Sequence, residues 1–282
     1  MTKLSDLNDP RLDVYARLSE PQLKTIYEPR KGLFVAESPM VIERALDAGY
    51  EPESVLTCSE AIKGHGRKVI ERINADYPEV PVYVGSDEVL LKIRGYQLTR
   101  GVLCAMKRKS HIPAEDILTR AKRIVLLDDV ENPGNVGAIF RSAAAMFMDA
   151  VLLTKDCADP LYRRAARVSV GTVFQIPWTY ITEIYGVVEP EEMYTDLLHD
   201  HGFKIAAMAL SDDSISVSDE RLKEEEKLAI VMGNEGYGLR QEVIDRCDHI
   251  VKIPMSGGID SLNVAAASAV AFWEVGKNGF CN

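Results

Sequence analysis

The chain reads as an α/β protein built on a largely parallel sheet, and three observations predict it. Short apolar runs rich in Val, Ile and Leu alternate with segments of helical apolar spacing. In the second half, three such runs end in a loop of glycine and polar residues that passes directly into a helix: Asn132 to Arg141, Gly233 to Gly238, and Ile253 to Ala267. At 282 residues, the chain is also long enough for about two domains with full-sized cores.

Taken in order, Leu12 to Tyr27 carries Leu12, Tyr15, Leu18, Leu23 and Ile26 at mostly helical spacing and predicts a helix. Leu33 to Ala36 predicts a strand. Ser38-Pro39 then opens a helix whose apolar face is Val41, Ile42, Ala45 and Leu46, closed by Gly49. Strands follow at Glu53 to Cys58, Val80 to Val84 and Val102 to Met106, with helices around Val69 to Ile73 and after the capping Ser86. These make a first, smaller α/β domain over residues 1–108. Lys107 to Pro113 has no periodicity, and residues 109–118 read as a linker.

The second domain spans residues 119–282. Its strands are expected at Ile124 to Leu127, Ala150 to Leu153, Lys204 to Ala209, Lys227 to Met232 and Ile250 to Ile253, with helices between them. Ile184 to Glu192 and Ser211 to Glu226 are acidic and predict solvent-facing excursions.

The formal charge of -10 excludes a protein coated in basic surface. It does not exclude nucleic acid, because phosphate contacts depend on a local patch. Lys92 to Arg123 supplies one, with Arg100 and Lys107 among its cations and only Glu115 and Asp116 against them. Five cysteines without a CxxC pair fit reduced thiols better than a disulfide frame or a zinc site, so no metal is expected. The first residues lack the apolar core of a signal peptide, and no run is long enough to span a bilayer. A cytoplasmic protein without a membrane partner is the expectation.

The loops carry the chemistry. In the first, Asn132-Pro133-Gly134-Asn135 makes a tight entry, Asn135 can cap the following helix, and Arg141 falls near its start, off the apolar stripe of Val136, Ile139, Phe140, Ala143 and Phe147, which is expected to be buried. Alone, this is an ordinary capped helix with a surface arginine. The second, Gly233-Asn234-Glu235-Gly236-Tyr237-Gly238, holds a carboxylate between glycines that permit close approach to a ligand. Its spacing is a poor match to a GxGxxG nucleotide fingerprint. The third contains Ser256-Gly257-Gly258-Ile259-Asp260-Ser261, which matches the SGGxDS phosphate loop of ATP pyrophosphatases letter for letter. That loop opens its domain, whereas only about one helix of chain follows here, and the ATP reading fails on topology.

Together, in this order, the three loops resemble the SpoU (TrmH-like) branch of the SPOUT RNA methyltransferases. The matching residues are Asn132-Pro133-Gly134-Asn135 with Arg141, then Met232-Gly233-Asn234-Glu235-Gly236, then Ile253-Pro254-Met255 with Ser261-Leu262-Asn263-Val264. Phe34-Val35-Ala36-Glu37 gives residues 1–108 a fainter likeness to the L30e-like substrate-binding domain of that branch. Ser38 departs from it, standing where the family usually has glycine, and Ala265 stands where many members have serine.

The resemblance implies a C-terminal α/β trefoil knot, bound S-adenosylmethionine, a homodimer whose site draws on both chains, and a ribose 2′-O-methyl product on RNA. Ribosomal RNA is favoured over tRNA by the N-terminal likeness. Base methylation on the same scaffold and an inactive RNA assembly factor are the alternatives. Gly233, Ile253 and Leu262, with Leu210 at a strand end, correspond to the family's cofactor-binding residues. Asn135, Arg141, Glu235, Ser261 and Asn263 correspond to its catalytic and substrate-positioning set. Arg163, Arg164 and Arg167 fall in a region expected to face RNA, beside Arg100 and Lys107. Family proposals make this arginine a general base, but a guanidinium stays protonated, so the physics favours Arg141 as a phosphate grip and oxyanion stabiliser.

Overall fold

The computed structural model describes residues 1–25, 32–94, 101–181, 194–257 and 261–276. Its contacts divide the chain into two compact units: residues 1–110 with 161–175, and residues 111–160 with 176–282.

In the first unit, β1 (Thr2–Leu4), β2 (Leu33–Glu37), β3 (Pro52–Thr57), β4 (Val82–Gly85) and β5 (Val102–Lys107) form a sheet in the order β1-β4-β3-β5-β2. β5 runs antiparallel to β2 and β3, and the other pairs are parallel. Around it lie α1 (Asp13–Ala16), α2 (Glu20–Thr25), α3 (Pro39–Asp47), α4 (Ser59–Lys63), α5 (Arg67–Asp76) and α6 (Asp87–Arg94). Phe34, Ile42, Leu56, Ile70, Ile73 and Leu103 are fully buried between these layers.

The single helix expected from Leu12 to Tyr27 is broken in two. Pro21 would clash with the preceding turn of a continuous helix. Ser19 instead starts α2 with a capping box, its N–H donating to Gln22 Oε1 at 2.9 Å and its Oγ accepting from the Gln22 N–H at 3.4 Å. Ile26 and Tyr27 lie outside the described residues. Ser38 joins β2 to α3 at φ 90°, ψ 148°, a conformation that favours glycine.

In the second unit the chain runs through α7 (Ala114–Arg120), β6 (Arg123–Leu127), α8 (Pro133–Ala145) and β7 (Ala150–Leu153). The excursion at residues 161–175 then joins the first unit, with α9 (Arg163–Val168) packed on β2. Arg163 Nε donates to Glu37 at 2.8 Å, its backbone N–H donates to Glu20 at 2.7 Å, and Arg44 donates to the Val170 carbonyl at 2.7 Å. The Phe174 ring sits 5.7 Å from Phe34 and 5.2 Å from Tyr50. The linear reading assigned this segment to the second domain, because charge pairing over more than a hundred residues leaves no local signal.

The chain continues through β8 (Trp178–Tyr180), α10 (Tyr194–Asp200), β9 (Lys204–Met208), β10 (Ile215–Ser216), α11 (Glu220–Glu224), β11 (Leu228–Met232), α12 (Gln241–Ile244), β12 (His249–Lys252) and α13 (Val264–Gly276). Seven strands form a parallel sheet in the order β10-β12-β9-β11-β6-β7-β8. The two short edge strands β8 and β10 escaped the sequence reading, since two or three residues show no periodicity. Ser211 to Glu226 is exposed or half-buried except for Val217 and Leu222, which anchor it, and the Ile184 to Glu192 expectation lies outside the described residues. Leu126, Leu152, Ile205, Ala229 and Val231 pack the sheet against Leu118, Leu198 and Val243 of the flanking helices. Among the described residues no helix is long and apolar enough to cross a membrane.

Candidate active site

Parallel strands that are neighbours in a sheet bring their carboxyl ends, and the loops that follow, to one edge. Here β12, β9, β11 and β6 are consecutive neighbours, with Met232 of β11 opposite Leu127 of β6. Their ends deliver Ile253, Leu210, Gly233 and Asp128 to one edge. A cavity of about 670 Å³ opens there, lined by all four of the predicted cofactor residues, Leu210, Gly233, Ile253 and Leu262, and by Glu235, Ser261 and Asn263. The second and third loops therefore share this cavity, although they lie apart in the sequence, while no residue of the first loop lines it.

Hydrogen bonds join three of the five catalytic candidates, Asn135, Glu235 and Asn263, into a chain. Asn135 Nδ2 donates to Glu235 Oε1 at 2.8 Å, and Asn263 Nδ2 donates to Asn135 Oδ1 at 3.2 Å. Glu235 Oε1 also accepts from the Asn132 N–H at 3.3 Å, and Asn263 Oδ1 accepts from the Ala265 N–H at 3.0 Å, at the start of α13. Both amides are thereby oriented, and the carboxylate is held by two donors. Asn234 shapes the glycine loop from within: its side chain accepts from the Gly236 N–H at 2.7 Å and donates to the Asp129 carbonyl at 2.9 Å.

Three helical expectations change. Phe147 is not in the buried stripe: it lies past the end of α8 at Ala145, at φ 61°, and is 47% exposed. The cap of α8 is Asn132, whose Oδ1 accepts from the Gly134 N–H at 2.8 Å, while Asn135 lies one turn inside and turns its amide to Glu235 and Asn263. Pro133 at the first helical position sets that start. Arg141 is accordingly in the later half of α8, not near its start; it is exposed and does not line the cavity of its own chain.

Of the predicted RNA-facing cations, Arg163, Arg164 and Arg167 lie together on α9. Arg163 and Arg167 both reach Glu37, at 2.8 and 3.4 Å, so their charge is partly matched within the first unit. Arg164 is exposed. Lys107 is half exposed and pairs with Glu51 at 3.2 Å, an exposed contact of small energy. Arg100 lies outside the described residues. Among those residues, no group of three or more His, Cys, Asp or Glu is arranged to hold a metal ion.

The structure adds residues that sequence reasoning missed. Asp128 is buried and accepts from the Tyr194 hydroxyl at 2.9 Å; burial pushes its carboxyl above the ordinary range. Asp129 adopts φ 62°, and its carboxylate accepts from the Tyr237 hydroxyl. The only sequence signal was the pair of carboxylates at the end of an apolar strand. Burial pushes the Cys157 thiol to about 11 and the Cys247 thiol to about 12, so both stay protonated at neutral pH, and neither lines the cavity.

A sequence model of the SpoU rRNA methylase family matches residues 122–273. A tRNA/rRNA methyltransferase of Mycobacterium bovis, itself uncharacterised, is 34% identical over 277 residues, covering 97% of this chain and 91% of the relative. An AdoMet-bound rRNA methyltransferase from Sinorhizobium meliloti superposes with a TM-score of 0.78 at 23% identity, covering 100% of this chain and 99% of that one. An RNA 2′-O ribose methyltransferase superposes with a TM-score of 0.77 at 24% identity, covering 99% of each chain. These structural likenesses concern the fold, which is the α/β trefoil-knot arrangement expected from the three loops.

Proposed function

The chain belongs to the SpoU rRNA methylase family, and from that premise we propose that it transfers a methyl group from S-adenosylmethionine to a ribose 2′-hydroxyl of RNA, with ribosomal RNA as the first candidate. One observation carries this reading: the second and third loops line a single cavity, and the first is joined to them through the Glu235–Asn135–Asn263 hydrogen-bonded chain. The site suits the cofactor. Leu210, Ile253 and Leu262 offer apolar walls, the loop at Gly233 allows close backbone approach, and Glu235 brings negative charge to a site for a sulfonium.

S-adenosylmethionine supplies an activated methyl group when bound. What the chain must supply is alignment and a sink for charge. Ser261 and Asn263 are neutral groups at the cavity suited to holding the ribose hydroxyl, and Asn135, oriented from both sides, fixes Asn263. Arg141 grips the phosphate beside the target and stabilises developing oxyanion charge.

Since Arg141 does not line its own chain's cavity, we assign it to the site of the partner in a homodimer. Phe147, Val270 and Trp273, exposed by 47, 38 and 50% near the packed pair α8 and α13, offer an apolar surface for that dimer. The first unit, L30e-like in our reading, binds the RNA, and the cytoplasm is the proposed compartment.

Against base methylation on the same scaffold stand Ser261 and Asn263, neutral hydrogen-bonding groups at the cavity suited to a ribose hydroxyl. The completed hydrogen-bond chain speaks against an inactive assembly factor. The deciding experiment maps 2′-O-methyl positions across total RNA from cells with and without the protein. A position lost with the protein and restored by it supports the reading, and an unchanged map with a changed base methylation overturns the ribose assignment.

Arg164→Glu tests the RNA surface. It should lower the slope of log affinity against log salt by about 1 and weaken binding across RNA sequences. An unchanged slope removes Arg164 from the interface. Arg163→Glu is a poorer probe, because it would set a second carboxylate beside Glu37.

A further inference from the structure

We propose that Tyr237 is the platform on which the base of the target nucleotide stacks, an inference that rests on the RNA methyltransferase reading above. The residue is 61% exposed at the mouth of the cavity that it helps to line. Its hydroxyl donates to Asp129 Oδ2, and Asp129 is not part of the cavity wall. The ring therefore spans from the rim to the end of β6, on the side where Glu235 meets Asn135.

Its neighbours leave the ring accessible. Gly236 and Gly238 on either side are exposed and carry no side chains, and even a Cβ added at Gly238 would meet nothing within 4 Å. A large aromatic ring tethered at its tip has already lost rotamer freedom, so little further entropy is lost when a base settles on it.

Local charge selects what part of the nucleotide can sit there. Asp129 lies among carboxylates: burial, then Asp156, Glu131 and Asp128, raise its carboxyl above the usual range, against a smaller opposing pull from Arg240. A phosphate brought to that edge would be repelled, whereas a neutral base would not. Bases of unpaired or extruded nucleotides are commonly received on aromatic faces. The work of substrate binding then divides, with the ribose at Ser261 and Asn263, a phosphate at Arg141 of the partner, and the base on Tyr237. Stacking tolerates any base, so this platform sets position rather than sequence.

The test uses the full chain, protein-free total RNA from cells lacking this protein, and tritiated S-adenosylmethionine. Tyr237→Ala should raise KM for RNA roughly tenfold or more, with a smaller fall in kcat, while calorimetric affinity for S-adenosylmethionine alone moves less than about twofold. Tyr237→Trp should restore the KM to within about threefold of wild type, and Tyr237→Phe, which keeps the ring and loses the tether, should raise it by about threefold. If Phe is as impaired as Ala, the tether matters and the ring does not, and the platform is overturned. A parallel loss of cofactor affinity in Tyr237→Ala would overturn it too, by giving the ring to the cofactor. Wild-type protein that methylates no RNA refutes the function itself, whereas active wild type with an unaltered Ala variant refutes only the platform.

Discussion

Replacing Arg141 by lysine is expected to cut methyl transfer by about a hundredfold while changing S-adenosylmethionine affinity by less than about twofold. Lysine keeps the charge but loses the planar fork that grips a phosphate through two parallel hydrogen bonds. The cofactor should scarcely respond, because Arg141 is exposed on α8 and does not line the cavity of its own chain. Calorimetry with the cofactor and a methyl-transfer assay with RNA separate the two effects. Cofactor binding that collapses with activity would put Arg141 in the wrong role.

The same residue tests the dimer. Arg141→Ala and Glu235→Ala chains mixed in one dimer leave one intact site if Arg141 acts on the partner's cavity, and none if it acts on its own. Regained activity in the mixture is therefore the expected result. Trp273→Glu should dissociate the dimer in sedimentation and lose activity in parallel, since it sets a charge on a residue that is 50% exposed in the apolar patch. A fully active Trp273→Glu monomer would contradict the shared site.

Gly233→Ala is the second large effect. A Cβ at this position would stand 2.6 Å from the Gly238 carbonyl carbon, 2.7 Å from the Leu239 amide nitrogen and 2.8 Å from the Gly238 oxygen. Those are backbone atoms, so no rotamer change relieves the clash. The turn must open, and the two bonds between the backbones of Asn234 and Gly238, at 3.2 and 3.0 Å, are strained with it. Overpacking of this kind costs about 1–3 kcal/mol. Because Glu235 rides on the same turn, cofactor affinity should fall at least about tenfold, with a loss of several degrees in melting temperature. Wild-type affinity in this variant would show that the turn is not part of the cofactor site.

Much of this molecule was legible in its residues, and the reason differs between elements. The strands Arg123–Leu127, Ala150–Leu153 and Leu228–Met232 announce themselves because each is buried throughout or nearly so and reads as a plain apolar run. The glycines, asparagines and carboxylate of the three loops announce a site because few other residues make tight turns with oriented polar groups. Helix breaks were harder. The capping box at Ser19 and Gln22 was present in the letters, but the apolar spacing from Leu12 onward masked it.

The amino-acid sequence by itself determined the fold class, the three loops and part of the cavity wall, namely Leu210, Gly233, Glu235, Ile253, Ser261, Leu262 and Asn263, since periodicity, turn chemistry and apolar run length are local properties. Only the tertiary structure decided that Asn132 caps α8 and frees Asn135 for Glu235, a hundred residues away. It alone decided that residues 161–175 join the first unit and that Arg141 stays outside its own chain's cavity. These are matters of which strands become neighbours and which distant groups meet. They depend on sheet order and long-range hydrogen bonds, for which a stretch of chain carries no local mark.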